Sequence, residues 1–214
     1  MKKTILKGFT IIALGLVVTS CKNDTKTSEI TEAEIINSTN QTESYKVDDN
    51  SLLVWKANKI IGGHEGTFNV AGGTVNIKDN TLVDGNFNFN IGSLKCTDIP
   101  EESEGNSNLV NHLLNEDFFD VVKFPTAKFE ITKVEGSRIS GNLTLKEITK
   151  NISFDVKVVV SNNTVTITSD TFTIDRTEWN ISHNSGKIMD AAKLGDYLIK
   201  DDVELKINVT ANKA

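Results

Sequence analysis

From about residue 45 onward apolar and polar residues alternate along most of this chain, and a period of two leaves few folds open. In the run Val83, Gly85, Phe87, Phe89, Ile91 every second position is apolar or glycine, while Asp84, Asn86, Asn88 and Asn90 take the other face. The alternation recurs over residues 139–145, 152–160 and 203–209. Shorter versions stand at Leu53 and Trp55, Val75 and Ile77, Phe129 and Ile131, Val165 and Ile167, and Phe172 and Ile174. Turn residues separate the runs: Gly62-Gly63, Gly72-Gly73, Asp79-Asn80, Glu135-Gly136-Ser137 and Asn162-Asn163. About eight antiparallel strands with one apolar face make a sandwich or a closed barrel, and closure removes exposed edges. A barrel of that size is filled by its own side chains or holds one small ligand.

Residues 109–129 break the pattern. Asn106 or Ser107 can cap a short helix that sets Leu109, Val110, Leu113 and Leu114 on one face, with Phe118 and Phe119 just beyond. Pro125 blocks helix and turns the chain back into strand. A helical, aromatic-rich insert among strands is a candidate lid, with His112 at the rim and Leu113, Phe118 and Phe119 facing a ligand. A second irregular stretch, 185–199, is expected to hold a helical turn or two.

The first twenty residues read as an export signal, with Lys2, Lys3 and Lys7 ahead of an uncharged apolar run too short to cross a bilayer. That run ends in Val18-Thr19-Ser20-Cys21, which resembles a bacterial lipobox and makes Cys21 the expected site of lipidation. Removing residues 1–20 takes away three lysines and no acid, moving the formal net charge from −6 to −9. Such an acidic chain is a poor partner for nucleic acid. Residues 21–43 carry no aromatic residue and are rich in Thr, Ser, Asn and Glu, so they are expected to form the lipidated N-terminus and a flexible tether of about 25 Å, followed by one domain over 44–214.

Within that domain a set of short motifs becomes specific. Trp55 precedes Gly62-Gly63-His64-Glu65-Gly66-Thr67-Phe68, and Ser93-Leu94 precedes His112-Leu113, Asp117-Phe118-Phe119-Asp120 and Phe124-Pro125-Thr126-Ala127-Lys128-Phe129. Gly141-Asn142-Leu143-Thr144-Leu145 and Asp175-Arg176-Thr177 follow. In order and spacing these resemble the YceI-like family. The resemblance implies an extended, eight-stranded antiparallel lipocalin-like barrel with a short helical lid, whose apolar lumen binds an isoprenoid lipid such as a polyprenyl chain or a quinone tail. Lys146-Glu147 departs from it, since the family usually places a glycine there.

The candidate lining residues follow from both readings. Trp55, Phe87, Phe89 and Phe154 alternate near the small residues Gly85, Gly141 and Ala57, which should leave a slot rather than a solid core. Phe68, Leu94, Phe129, Leu143 and Trp179 join them. Arg176 is expected to satisfy Asp175, Asp117 or Asp120, or to meet a ligand headgroup. His64 and His112 can converge at the mouth, where a hydrogen-bonding role outweighs metal binding because no metal-ligand spacing relates the three histidines. No nucleophile elbow or phosphate-cradling loop is present, and the acidic surroundings of Cys96 should raise its pKa.

The expectation is therefore a membrane-tethered, non-enzymatic protein of the bacterial cell envelope, at the outer membrane facing periplasm or surface. It needs no cofactor beyond a bound isoprenoid lipid or quinone, and a homodimer is left open. The rival readings are an enzyme acting on an amphiphile at a His64/His112 site, and a structural lipoprotein with a solid core.

Overall fold

The computed structural model describes residues 26–36 and 42–214, so the expected export signal and the expected lipidation site at Cys21 lie outside the described residues. Its strands are β1 (Lys26–Thr27), β2 (Glu29–Glu32), β3 (Glu43–Val47), β4 (Leu52–Lys59), β5 (Gly63–Lys78), β6 (Thr81–Cys96), β7 (Thr126–Glu135), β8 (Arg138–Leu145), β9 (Ile148–Ser161), β10 (Thr164–Ser169), β11 (Phe172–Asp175) and β12 (Ile199–Lys213). Helix α1 (Glu104–Leu114) joins β6 to β7, and the short α2 (Ala191–Leu194) precedes β12. All strands belong to one sheet that closes on itself.

There are twelve strands where eight were expected, yet the ring has eight main positions. The run β5 to β9 supplies five of them by antiparallel neighbours, and β12 supplies a sixth. Each of the other two is filled by strands in tandem. On one side of β12, β11 pairs with Asp202 through Leu205 and β10 with Asn208 through Asn212. On its other side β4 and then β3 bridge β12 to β5. Breaking two long strands in this way lets the wall turn sharply without losing its hydrogen bonds.

The tandem arrangement leaves a gap, because β11 follows β12 and leaves the first half of β9 unpaired. Residues 26–32, expected as part of a flexible tether, fill it. β1 lies parallel to β11 (Lys26 opposite Phe172), and β2 runs antiparallel to β9, with Glu29 opposite Ser153 and Glu32 opposite Lys150. Its one apolar side chain, Ile30, packs against the core, and the segment contributes backbone hydrogen bonds to two strand edges that would otherwise lack them. Beyond β2 the chain caps an outer polar seam: Asn142 donates to the Glu34 carbonyl at 2.8 Å and accepts from the Glu34 amide at 2.9 Å, while Asn151 donates to the Asn142 side chain at 3.0 Å.

Two glycine expectations are corrected. Gly72-Gly73 is not a turn but part of β5, where the register shifts and φ is +130° and +151°. Gly141 does not open a slot, because the Phe129 ring occupies the space: a Cβ there would meet Phe129 Cζ at 2.3 Å. The turns Asp79-Asn80 and Lys146-Glu147 have positive φ at both residues, as tight hairpins with the right twist require. Charged side chains at 146 and 147 therefore occupy the same kind of turn that glycine favours.

Helix α1 is capped by Ser103, whose hydroxyl accepts from the Asn106 amide, rather than by Asn106 or Ser107. Asn106 is buried instead, donating to the carbonyls of Cys96 and Ile99 and so tying the helix to the end of β6. The stretch 185–199 holds the expected helical turns, α2 and then Gly195–Tyr197, and a further turn that was not expected lies before it over Arg176–Trp179.

A lidded apolar cavity and its polar rim

The barrel is packed differently at its two ends. At the end formed by β3, the β5–β6 turn and the β9–β10 turn, Tyr45, Val47, Val75, Val165 and Ala211 are each 2% exposed or less and none of them lines the cavity at the other end. Toward the other end the inward side chains are mostly rings. Phe129 stands between Phe87 and Phe154 at centroid distances of 6.3 and 5.6 Å, and Phe154 stacks on Phe172 at 4.1 Å. Planar rings held by their own strands leave space between them, and here that space is a cavity of about 160 Å³ whose surface is wholly apolar.

The cavity is bordered by most of the residues that the sequence singled out. Trp55, Phe68, Phe87, Phe89, Leu94 and Phe129 line it from β4 to β7. Leu143 and Phe154 follow on β8 and β9. Above them Leu113, Phe118 and Phe119 form the cover, with Phe119 edge-on to Phe68 at 5.4 Å. The lid is a fixed turn, for the amides of Phe119, Asp120 and Val121 donate to the carbonyls of Leu113, Asn115 and Leu114. Sequence reasoning missed the aliphatic lining, including Ile131, Ile152, Ile167 and Leu205. Alternation marked these positions as inward, but nothing in it separates a residue beside a void from one in solid core.

Arg176 borders the cavity, yet its guanidinium is spent on the fold. It donates to the carbonyls of Lys200, Ile181 and Ile199 at 3.1, 2.6 and 3.0 Å and lies 3.4 Å from Asp201, so the carboxylate it bonds is Asp201, while Asp175, one of the three expected, acts only through longer-range attraction. Burial lowers its pKa against the pull of Asp201 and Asp175. Trp179 is fully buried but does not line the cavity: its indole N–H donates to the Leu143 carbonyl at 3.1 Å. Both residues hold the loop that follows β11.

This wall-and-lid arrangement coincides with a known domain. Residues 45–211 match the profile of the YceI-like domain. The chain belongs to the YceI-like family. Among solved structures, Burkholderia cenocepacia BcnA superposes with a TM-score of 0.58 at 19% identity, over 78% of this chain and 99% of that one. A polyisoprenoid binding domain from Saccharophagus degradans, implicated in plant cell wall breakdown, gives 0.56 at 12% identity, over 81% and 100%. At such identities the likeness shows the fold alone. No curated protein matches the sequence.

The histidines of this YceI-like barrel fall into two separate clusters, which corrects the expectation that His64 and His112 converge. His112 Nε2 lies 3.0 Å from Asp117 Oδ2, and His183 Nδ1 lies 3.7 Å from the other oxygen of the same carboxylate. Phe118 packs against both imidazoles, at 5.1 and 5.0 Å. Burial lowers the pKa of His183 despite Asp117. This trio joins the lid to the loop after β11, and Lys146 reinforces it by donating to the carbonyls of Phe118 at 2.7 Å and Asn180 at 3.3 Å. Burial likewise lowers the pKa of Lys146.

His64 does not line the cavity; it borders a polar groove with Lys56, Asn58, Lys59 and Lys200. Its Nδ1 lies 2.9 Å from Asp98, which also accepts from the Glu65 amide at 3.0 Å and the Cys96 thiol at 3.1 Å. Burial opposes ionisation of Asp98, but these three partners together bring its pKa down to about 2. Cys96 moves the other way, as burial and the neighbouring carboxylate push its thiol up. A protonated thiol is a weak nucleophile.

Proposed function

We propose that this protein binds rather than transforms its ligand: a lipoprotein tethered to the cell-envelope membrane that takes an isoprenoid chain, from a polyprenyl lipid or a quinone, into the barrel for sequestration, transport or storage. The observation that carries this reading is the cavity of about 160 Å³ with no polar surface, lined by aromatic and branched aliphatic side chains and covered by Leu113, Phe118 and Phe119. The structural likeness to a polyisoprenoid binding domain supports it through the shared fold.

Magnitudes suit a branched hydrocarbon. At about 0.8 kcal/mol per buried carbon, a five-carbon isoprene unit gains about 4 kcal/mol, against an association cost of roughly 4–15 kcal/mol. Several units must therefore be buried. A cavity near 150 Å³ takes a benzene-sized guest, so a longer chain requires the rings and lid to move apart. The lid is built for that: two short polar clasps hold it, at His112/Asp117/His183 and at Lys146, rather than continuous sheet.

The test is lipid extraction and mass spectrometry on the full chain after gentle purification, followed by exchange with farnesol. Recovery of a prenyl lipid, or saturable uptake of farnesol, is expected. Consistent absence of both overturns the proposal. The full chain is needed because residues 26–32 are part of the wall.

A further inference from the structure

The two ends of the barrel present different surfaces. The connections at the closed end are polar: Asp79 and Asn80; Gly136 and Ser137; Asn162 and Asn163. At the lid end the connections span residues 60–62, 97–125, 146–147 and 176–198. They expose Ile60, Ile61, Val122, Ile188, Met189 and Tyr197, from 49% for Met189 to 92% for Val122. Among the described residues the other exposed large apolar side chains are Ile35 and Ile36 on the N-terminal segment and Val54 and Val159 on outer strand faces. Exposing an isoleucine pair, a lone valine and an Ile-Met pair on three separate loops at one end leaves apolar area in water that a monomer gains nothing by displaying.

We infer that the lid end is a membrane-contact face, whose exposed apolar side chains enter the interfacial layer of a lipid bilayer and hold the cavity mouth against it. The inference rests on the lipid-binding reading for its purpose, because a prenyl chain that passes directly between bilayer and lumen avoids the cost of crossing water, about 0.8 kcal/mol per carbon. A bilayer fits these loops better than a protein does. The side chains project from separate loops with polar residues between them, and a fluid interface accepts such isolated knobs whereas a protein partner needs a continuous complementary surface. Tyr197 has the amphipathic ring favoured at that depth. Lys59, next to Ile60, can lift its charge clear of the interface, whereas Lys123 and Lys187 are paired with Asp120 and Asp175. The lid-end connections carry eleven acidic and five basic side chains, so the contact is apolar rather than cationic.

The test uses the full chain reconstituted in phosphatidylcholine vesicles that carry spin-labelled lipid, with a tryptophan reporter at Ile188→Trp on the rim or Asn163→Trp on the opposite end. Quenching of the Ile188→Trp protein beyond its parent, none for Asn163→Trp, and no change on raising NaCl to about 1 M are expected. Equal quenching at both ends, quenching at neither, or loss of the rim signal in salt overturns the inference, as does self-association through the rim without vesicles. Combined Ile61→Asp, Val122→Asp and Ile188→Asp should slow farnesol transfer between vesicles at least tenfold and leave farnesol affinity in solution unchanged; an unchanged transfer rate counts against the inference. A protein with the rim signal but no farnesol uptake keeps the membrane face and loses the lipid-binding reading. One that takes up farnesol without the rim signal does the reverse.

Discussion

The closed end and the lid end are built from the same ring of strands with the same alternation, yet one is solid and the other hollow. At the closed end Val47, Val75 and Val165 are short and branched, and β3 pairs with both neighbours so that Tyr45 is driven fully inside. At the lid end the inward residues are rings such as Phe87, Phe129 and Phe154, which meet at 5.6 to 6.3 Å and leave a gap no neighbour fills. A barrel thus separates the work of stability from that of binding along its own axis, by residue shape alone.

The sharpest way to break this comparison is to damage each end in turn. Tyr45→Ala should cost about 3–5 kcal/mol in denaturant unfolding, as expected for a large ring removed from a site that cannot collapse. Arg176→Ala comes next, at about 3 kcal/mol, because it leaves the carbonyls of Lys200, Ile181 and Ile199 without their donor. Hydrogen exchange should then rise in residues 176–198 before it rises in β3. Phe118→Ala should cost under about 2 kcal/mol, since the ring borders a void already, while farnesol retention falls at least tenfold. If its stability loss matches that of Tyr45→Ala and retention follows stability, the lid is ordinary core.

Smaller effects sharpen the contrast. Ala57→Leu projects into the void and should change stability by less than about 1 kcal/mol while reducing farnesol capacity, whereas an enlarged residue at Ala211 should destabilise by about 1–3 kcal/mol. The smallest effect is with pH. Since burial lowers the pKa of His183, the folded protein binds fewer protons than the unfolded chain just below the ordinary histidine value near 6.5. Acidification through that interval therefore weakens the lid clasp, and exchange should quicken at the lid and not at β3. Asp98, with its pKa near 2, acts lower: its contribution is complete above about pH 4 and is lost as pH falls toward 2.

How much of this was legible in the sequence depended on whether the signal was periodic or topological. Alternation placed the ring and, through Trp55, Phe87, Phe89 and Phe154, four of the nine aromatic residues that line the cavity. It could not show that two ring positions are each shared by two strands, because a broken strand and two short ones have the same pattern. Nor could it find the role of residues 26–32: an edge-filling segment is held by backbone groups that every sequence has. The small residue at 141 misled for a related reason, since a missing side chain shows where space exists but not which neighbour fills it. His112 and Asp117 are close in the chain and were visible together, but His183 reaches them only because the loop after β11 returns over the lid.

The strap of residues 26–32 also sets an order of events. Lys26 is bonded to Asp155, 129 residues further along, so the earliest described part of the wall waits for strands made much later. Until β9 and β11 exist, its partners are missing; once they exist, their free edges lie open over an apolar lumen until the strap arrives. Long-range pairing of this kind is slow and leaves edges exposed to aggregation. The last seam to close is then also the natural one to open first, and folding should show a late phase, reported by amides of residues 150–153, that shortening the N-terminus would abolish.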